Sequence, residues 1–259
     1  MKKICLFFLM ISCVTVSYSQ NAKDGKMPVT TKSEAALKLF NEARRAFQDV
    51  NLKECNTLLL KAKKDDPDFF MADAYLALSC FSNNDLAGFK EYGSAAVNNK
   101  AKINEGEQLY KEMINKLLQD QKADLTEITG KLVALYPKDQ QAYYSLIIAQ
   151  MNKNDYQGAL NTISEAMKIA DYKPVIYNLY GYAYLGLNRM EDAKKAFDKY
   201  MELAPEVANA YDSMGDYYFQ MKDYKKAAEY FSKSAAKGLE MSKSKEKKAR
   251  HMADSLGLK

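Results

Sequence analysis

A chain of 259 residues, 47% hydrophobic and 27% charged, has the apolar content for a packed core. Its formal balance of +5 is too weak to mark a nucleic-acid-binding protein. Gly and Pro are scarce, at 11 and 5 residues. That argues against a turn-rich sandwich or barrel and for helices.

In chain order, the first element is a targeting segment. Lys2 and Lys3 precede an apolar run from Ile4 to Val16, and Ser17 and Ser19 are small residues at the −3 and −1 positions of a cut before Gln20. The run is shorter than the ~20 residues of a membrane span. Residues 1–19 are therefore expected to be a cleaved signal peptide, which places the chain in the periplasm or cell envelope, or outside the cell. A rival expectation is that Leu9-Met10-Ile11-Ser12-Cys13, which resembles the lipobox of bacterial lipoproteins, leads to acylation of Cys13. Met10 there departs from the usual aliphatic residue. Cleavage before Gln20 removes Lys2 and Lys3, lowers the balance from +5 to +3, and leaves only Cys55 and Cys80. These two could pair in an oxidising compartment or stay as buried thiols, and the sequence leaves both open.

Residues 20–32 are polar, contain Gly25 and Pro28, and read as a flexible leader. Thr31 and Glu34 have capping-box spacing and mark the start of a helix. From there one unit recurs. Tyr177, Tyr180, Gly181, Tyr184, Ala193, Phe197 and Pro205 are followed by Tyr211, Met214, Gly215, Tyr218, Ala227 and Phe231, with the Gly, Ala and Phe pairs each 34 residues apart. Weaker copies keep the phase at Tyr143, Leu146, Ala159 and Ile163, and at Leu39, Ala43, Ala46, Cys55, Leu59, Ala62 and Pro67.

This pattern resembles the tetratricopeptide repeat, with Tyr in place of the usual Trp at the first position. The resemblance implies an all-α, right-handed α-α superhelix of about six helix-pair repeats over residues 33–241. The units lie near 36–69, 70–105, 106–139, 140–173, 174–207 and 208–241. The unit at 106–139 is the most divergent, with Thr129 where a large residue belongs. The spacing has a physical basis: small residues let paired helices approach closely, a large one fills the gap between three helices, and Pro ends the second helix. One pair cannot cover its own apolar face, so pairs stack, and residues 242–259 are expected to form a basic capping helix at the open end.

Catalysis finds little support. The single histidine, His251, lies in the charged terminal segment without a partner, and no Gly-rich phosphate loop, nucleophile elbow or metal-ligand spacing occurs. No cofactor is expected. The resemblance instead implies a concave groove lined by the first helix of each repeat. Carried over by position, Tyr144, Ile148, Asn178, Tyr182, Leu185, Asn209, Asp212, Asp216 and Phe219 face that groove and form the candidate site for a protein or peptide partner. Asp212 and Asp216 would repel a C-terminal carboxylate of the kind that chaperone adaptors of this family grip, and only Asn41 and Arg44 approach such a clamp. A basic or neutral guest is expected there. The terminal segment has a net charge of +4 but no aromatic residue to insert, so it reads as a solvated capping face; membrane contact would arise only from lipidation at Cys13 or through this tail. The function expected is a non-catalytic scaffold or adaptor in the bacterial envelope. The alternatives are an outer-membrane lipoprotein subunit of an assembly or secretion machine, and a cell-wall or carbohydrate-binding module that uses tyrosines as stacking platforms.

Overall fold

A computed structural model of the chain describes residues 18–19 and 24–257. Most of the expected signal, Cys13, the first residues of the expected leader and the last two residues lie outside the described residues. The fold is all-α, with thirteen helices among the described residues. The first unit pairs α1 (Glu34–Gln48) with α2 (Leu52–Asp65), and the second pairs α3 (Phe70–Ser82) with α4 (Leu86–Asn98). The third pairs α5 (Glu105–Gln119) with α6 (Thr126–Leu135), and the fourth α7 (Gln140–Asn152) with α8 (Tyr156–Ile169). The fifth pairs α9 (Lys173–Gly186) with α10 (Met190–Leu203), the sixth α11 (Ala208–Gln220) with α12 (Tyr224–Ala236), and α13 (Met241–Ser255) closes the array.

The turn inside each pair has a shared chemistry. Val50, Asn84, Asn154, Asn188 and Lys222 all adopt left-handed backbone, with φ between 57° and 60°. This conformation ends the first helix and is one that Asn tolerates better than most residues. The next residue usually caps the second helix: Asp85, Asp155 and Asp223 accept the amides of Gly88, Gly158 and Lys226 at 3.0, 2.9 and 3.2 Å. The third unit departs from this rule. It uses residues 120–125 without a left-handed residue, and its second helix is only 10 residues long. Thr129 is buried there, with its hydroxyl donated to the Leu125 carbonyl at 2.8 Å.

Close approach within a pair depends on the small residues. A Cβ on Gly181 would collide with the Phe197 ring, and one on Gly215 would stand 2.5 Å from Phe231 Cδ1. Ala193 and Ala227 are fully buried beside these rings. Cys55 and Cys80 are unpaired and buried, and burial pushes their thiols up to about 12 and about 11.

Two local expectations are corrected. Thr31 does not cap α1: Ser33 does, accepting the Ala36 amide at 3.2 Å, while the Thr31 hydroxyl donates to Asp66 at 2.6 Å. Residues 24–32 are not a free leader but a strap laid across the units. Met27, Pro28, Val29 and Thr31 are buried. Three carboxylates take the strap's backbone amides: Asp139 from Met27 at 2.9 Å, Glu107 from Thr30 at 2.7 Å, and Asp66 from Lys32 at 2.9 Å. Asn104 donates to the Pro28 carbonyl, the Lys138 amide donates to that of Gly25, and Thr30–Thr31 pairs antiparallel with Tyr18–Ser19. Met27 rests on Gly106, where a Cβ would stand 2.7 Å from its sulfur.

The strap belongs to the core, so truncating it has a definite cost. Met27→Ala is expected to destabilise the chain by about 2–5 kcal/mol, the range for emptying a buried Met site. Urea unfolding followed by circular dichroism would read the loss, and a shift below ~0.5 kcal/mol would show that the strap is dispensable.

Candidate functional site

The strap covers the concave face of the early units. Phe40, Met71, Tyr75 and Tyr110 are buried beneath it, joined by edge and tilted ring contacts of 5.0 Å for Phe40–Tyr75 and 6.1 Å for Tyr75–Tyr110. Arg44 lies 3.8 Å from the buried Asp139 and covers the Phe40 ring. It is therefore committed to its own chain rather than poised for a carboxylate guest. Asn41, beside it, is exposed.

The later candidate residues converge, but on α13 rather than on solvent. Asp212 is only 3% exposed and accepts Ser242 Oγ and Lys245 Nζ, both at 2.6 Å. Asp216 accepts Lys245 at 2.8 Å and the Tyr182 hydroxyl at 2.9 Å. Asn178 is buried and accepts Ser213 Oγ at 2.8 Å, while Asn209 is buried and donates to the Tyr200 hydroxyl at 3.3 Å. Leu185 is buried; Phe219 is half-buried, with the Lys248 ammonium 5.2 Å from its ring centroid. Tyr144 and Ile148 are half-buried against the fourth and fifth units, and burial pushes the Tyr144 hydroxyl up to about 12. The two aspartates expected to attract a basic guest thus have their cation already, Lys245 of the same chain. Nothing near Asp212 in the sequence announces this partner, which lies 33 residues downstream.

The tyrosines on the later units are also occupied. Tyr180 stacks on Tyr184 at 5.8 Å and Tyr218 on Tyr230 at 5.3 Å. Arg189, Lys226 and Lys233 cover the rings of Tyr184, Tyr218 and Tyr230. His251 is exposed, and among the described residues no cluster of three or more His, Cys, Asp or Glu side chains is arranged to hold a metal ion.

A cleft of about 1030 Å³ opens between the two ends of the array. One wall is the end of α1 and the start of α2; the other is the turn before α11 and the turn between α12 and α13. The walls face each other because the solenoid curls back. Arg45 stacks on Tyr172 at 3.4 Å, the Tyr172 hydroxyl donates to Asp49 at 2.6 Å, and Gln48 donates to Gln141 at 3.2 Å. Periodicity along the chain carries no trace of this meeting of distant units.

A profile of the tetratricopeptide repeat matches residues 174–207 and 208–235. No curated protein matches in sequence. Among solved structures, the crystal structure of the APC/C hetero-tetramer Cut9-Hcn1 is similar at 20% identity with a TM-score of 0.52, covering 83% of this chain and 43% of that one. This chain therefore spans less than half of that relative. A tetratricopeptide repeat protein from Parabacteroides merdae is similar at 13% identity and TM-score 0.43, covering 84% of this chain and 100% of that one. PilW, a widely conserved type IV pilus biogenesis factor, is similar at 15% identity and TM-score 0.46, covering 79% and 94%.

The contact between α13 and the sixth unit has a pH dependence of known sign. Burial alone would push the Lys245 ammonium down, but Asp216 and Asp212 outweigh it and hold its pKa above the usual 10.5. A raised folded pKa stabilises the fold fully below the unfolded value, and the contribution is lost as pH climbs through the folded one. Lys245→Met is expected to cost about 1–3 kcal/mol at pH 8, because it leaves Asp212 buried without its cation. Thermal melts from pH 8 to 11.5 should show the gap between wild type and variant closing above pH 10.5. A gap that stays constant would refute the ion pair as its source.

Proposed function

The chain is a tetratricopeptide-repeat protein, and from that premise we propose that it is a non-catalytic scaffold of the bacterial cell envelope that holds a partner protein in the cleft between its first and last units. The carrying observation is that the chain covers its early units with the strap and its last unit with α13, and leaves about 1030 Å³ open between the turns of its first and last units. Repeats of this type bury their apolar faces on one another and present the remaining surface to partners. The covered tyrosine faces favour a protein guest over stacked sugar rings.

Export rests on Lys2, Lys3 and the apolar run that follows. Mass spectrometry of the natural protein is expected to find Gln20 at its N-terminus. An acylated Cys13 would make it a lipoprotein anchored to the envelope instead.

The scaffold role is tested by affinity capture from an envelope extract of the source cells. A second bait carries Glu54→Trp and Glu240→Trp, exposed positions on opposite walls of the cleft. A protein recovered reproducibly with the first bait and lost with the second is the expected result. Recovery by both would move the binding surface elsewhere, and recovery by neither would remove the scaffold reading.

A further inference from the structure

The charge of the cleft runs against that of the chain. The protein is basic overall, yet the cleft walls carry Glu42, Asp49, Glu54, Glu206 and Glu240 against Arg45, Lys53 and Lys237. Most of the cations are already engaged. The Arg45 guanidinium lies flat on Tyr172, and Lys237 pairs with Glu206 at 3.0 Å and covers the Tyr211 ring. Glu240 has its own counterion, Lys243, at 2.6 Å. On the first unit's wall Glu42, Asp49 and Glu54 outnumber Lys53 and Arg45, which lies beside Asp49.

Two further features belong to the same wall. Asp49 is half-buried, and burial pushes its carboxyl up in spite of the Tyr172 hydroxyl and Arg45. A carboxylate so placed gains from any cation that enters. Asn56, which lines the cleft, has its Oδ1 shielded from solvent and without a hydrogen-bond partner, an acceptor closed to the cleft as the side chain stands. Between these groups Leu52, Leu58, Val207 and Leu239 supply apolar surface. The volume is at the upper limit of the roughly 300–1,000 Å³ of small-molecule sites, which suits a stretch of polypeptide.

We propose that the cleft recognises a basic, partly apolar extended segment of the partner protein, with a Lys or Arg side chain seated among Glu42, Asp49 and Glu54. This proposal rests on the scaffold reading and names the chemistry of its guest.

The test uses the mature chain and two labelled twelve-residue peptides, one alternating Arg with Leu and the other alternating Glu with Leu, followed by fluorescence anisotropy. A cleft variant carries Glu42→Lys, Asp49→Asn and Glu54→Lys. A charge-matched control carries Glu127→Lys, Glu165→Lys and Glu202→Gln, at exposed acids on α6, α8 and α10. The Arg-Leu peptide is expected to bind, about tenfold or more weakly to the cleft variant and within about threefold of wild type to the control. Should the triple variant fail to fold, Glu42→Lys and Asp49→Asn are read singly, each expected to weaken binding by about threefold. The proposal is overturned if the Arg-Leu peptide does not bind wild type, if cleft and control variants lose affinity equally, or if the Glu-Leu peptide binds as tightly. Capture of a protein that the tryptophan-filled bait loses but the charge variant retains would keep the scaffold and discard the basic guest.

Discussion

A helix pair of this kind cannot bury its own apolar face, and the rest of the structure follows from how that face is closed. Inside the array the answer is the next pair, stacked on a unit whose own two helices are held close by Gly181 under Phe197 or Gly215 under Phe231. At the ends there is no next pair. The C-terminal end is closed by α13, which sets the small side chains of Ser242, Ala249 and Ala253 against the sixth unit and sends Lys245 inward. The N-terminal side is closed by an extended segment rather than a helix. An extended segment brings unpaired amides into a buried place, which is why Asp66, Glu107 and Asp139 are there to accept them.

The same closure bears on the proposed partner site. A concave face covered by the chain's own strap and terminal helix offers little to a guest, and the polar side chains that point into it are already spoken for by Ser213, Ser242 and Lys245. The curl that brings Tyr172 onto Arg45 and Asp49 places two distant units face to face, and their turns, rather than the inner helices, line the remaining space.

The all-α solenoid was legible in the sequence because close packing leaves no choice at Gly181, Ala193 and Phe197 or at their counterparts 34 residues on. The turns carried a second signal, Asn-Asp at 84–85 and 154–155, that the large-residue pattern overshadowed. The candidate site was legible only in part. Positional carry-over names Asn178, Tyr182, Asp212 and Asp216 together, but it cannot say what meets them. Lys245 is 33 residues from Asp212, and Met27 is 112 from Asp139. Such partners share no local pattern. A Gly- and Pro-bearing polar stretch also reads as a leader whenever its acceptors lie that far downstream.

The strap has a consequence for how the molecule holds together in time. An array of repeats behaves as a line of neighbours, free to fray from either end. Hydrogen bonds between residues 25–32 and Asp66, Glu107, Lys138 and Asp139 join the first, third and fourth units directly, and Lys26 reaches Asp171 beyond them. Those contacts close loops of up to 145 residues, so they form late and couple units that would otherwise melt one by one. The strap is thus expected to be among the last segments to find its place, and once seated it ties distant modules to one another.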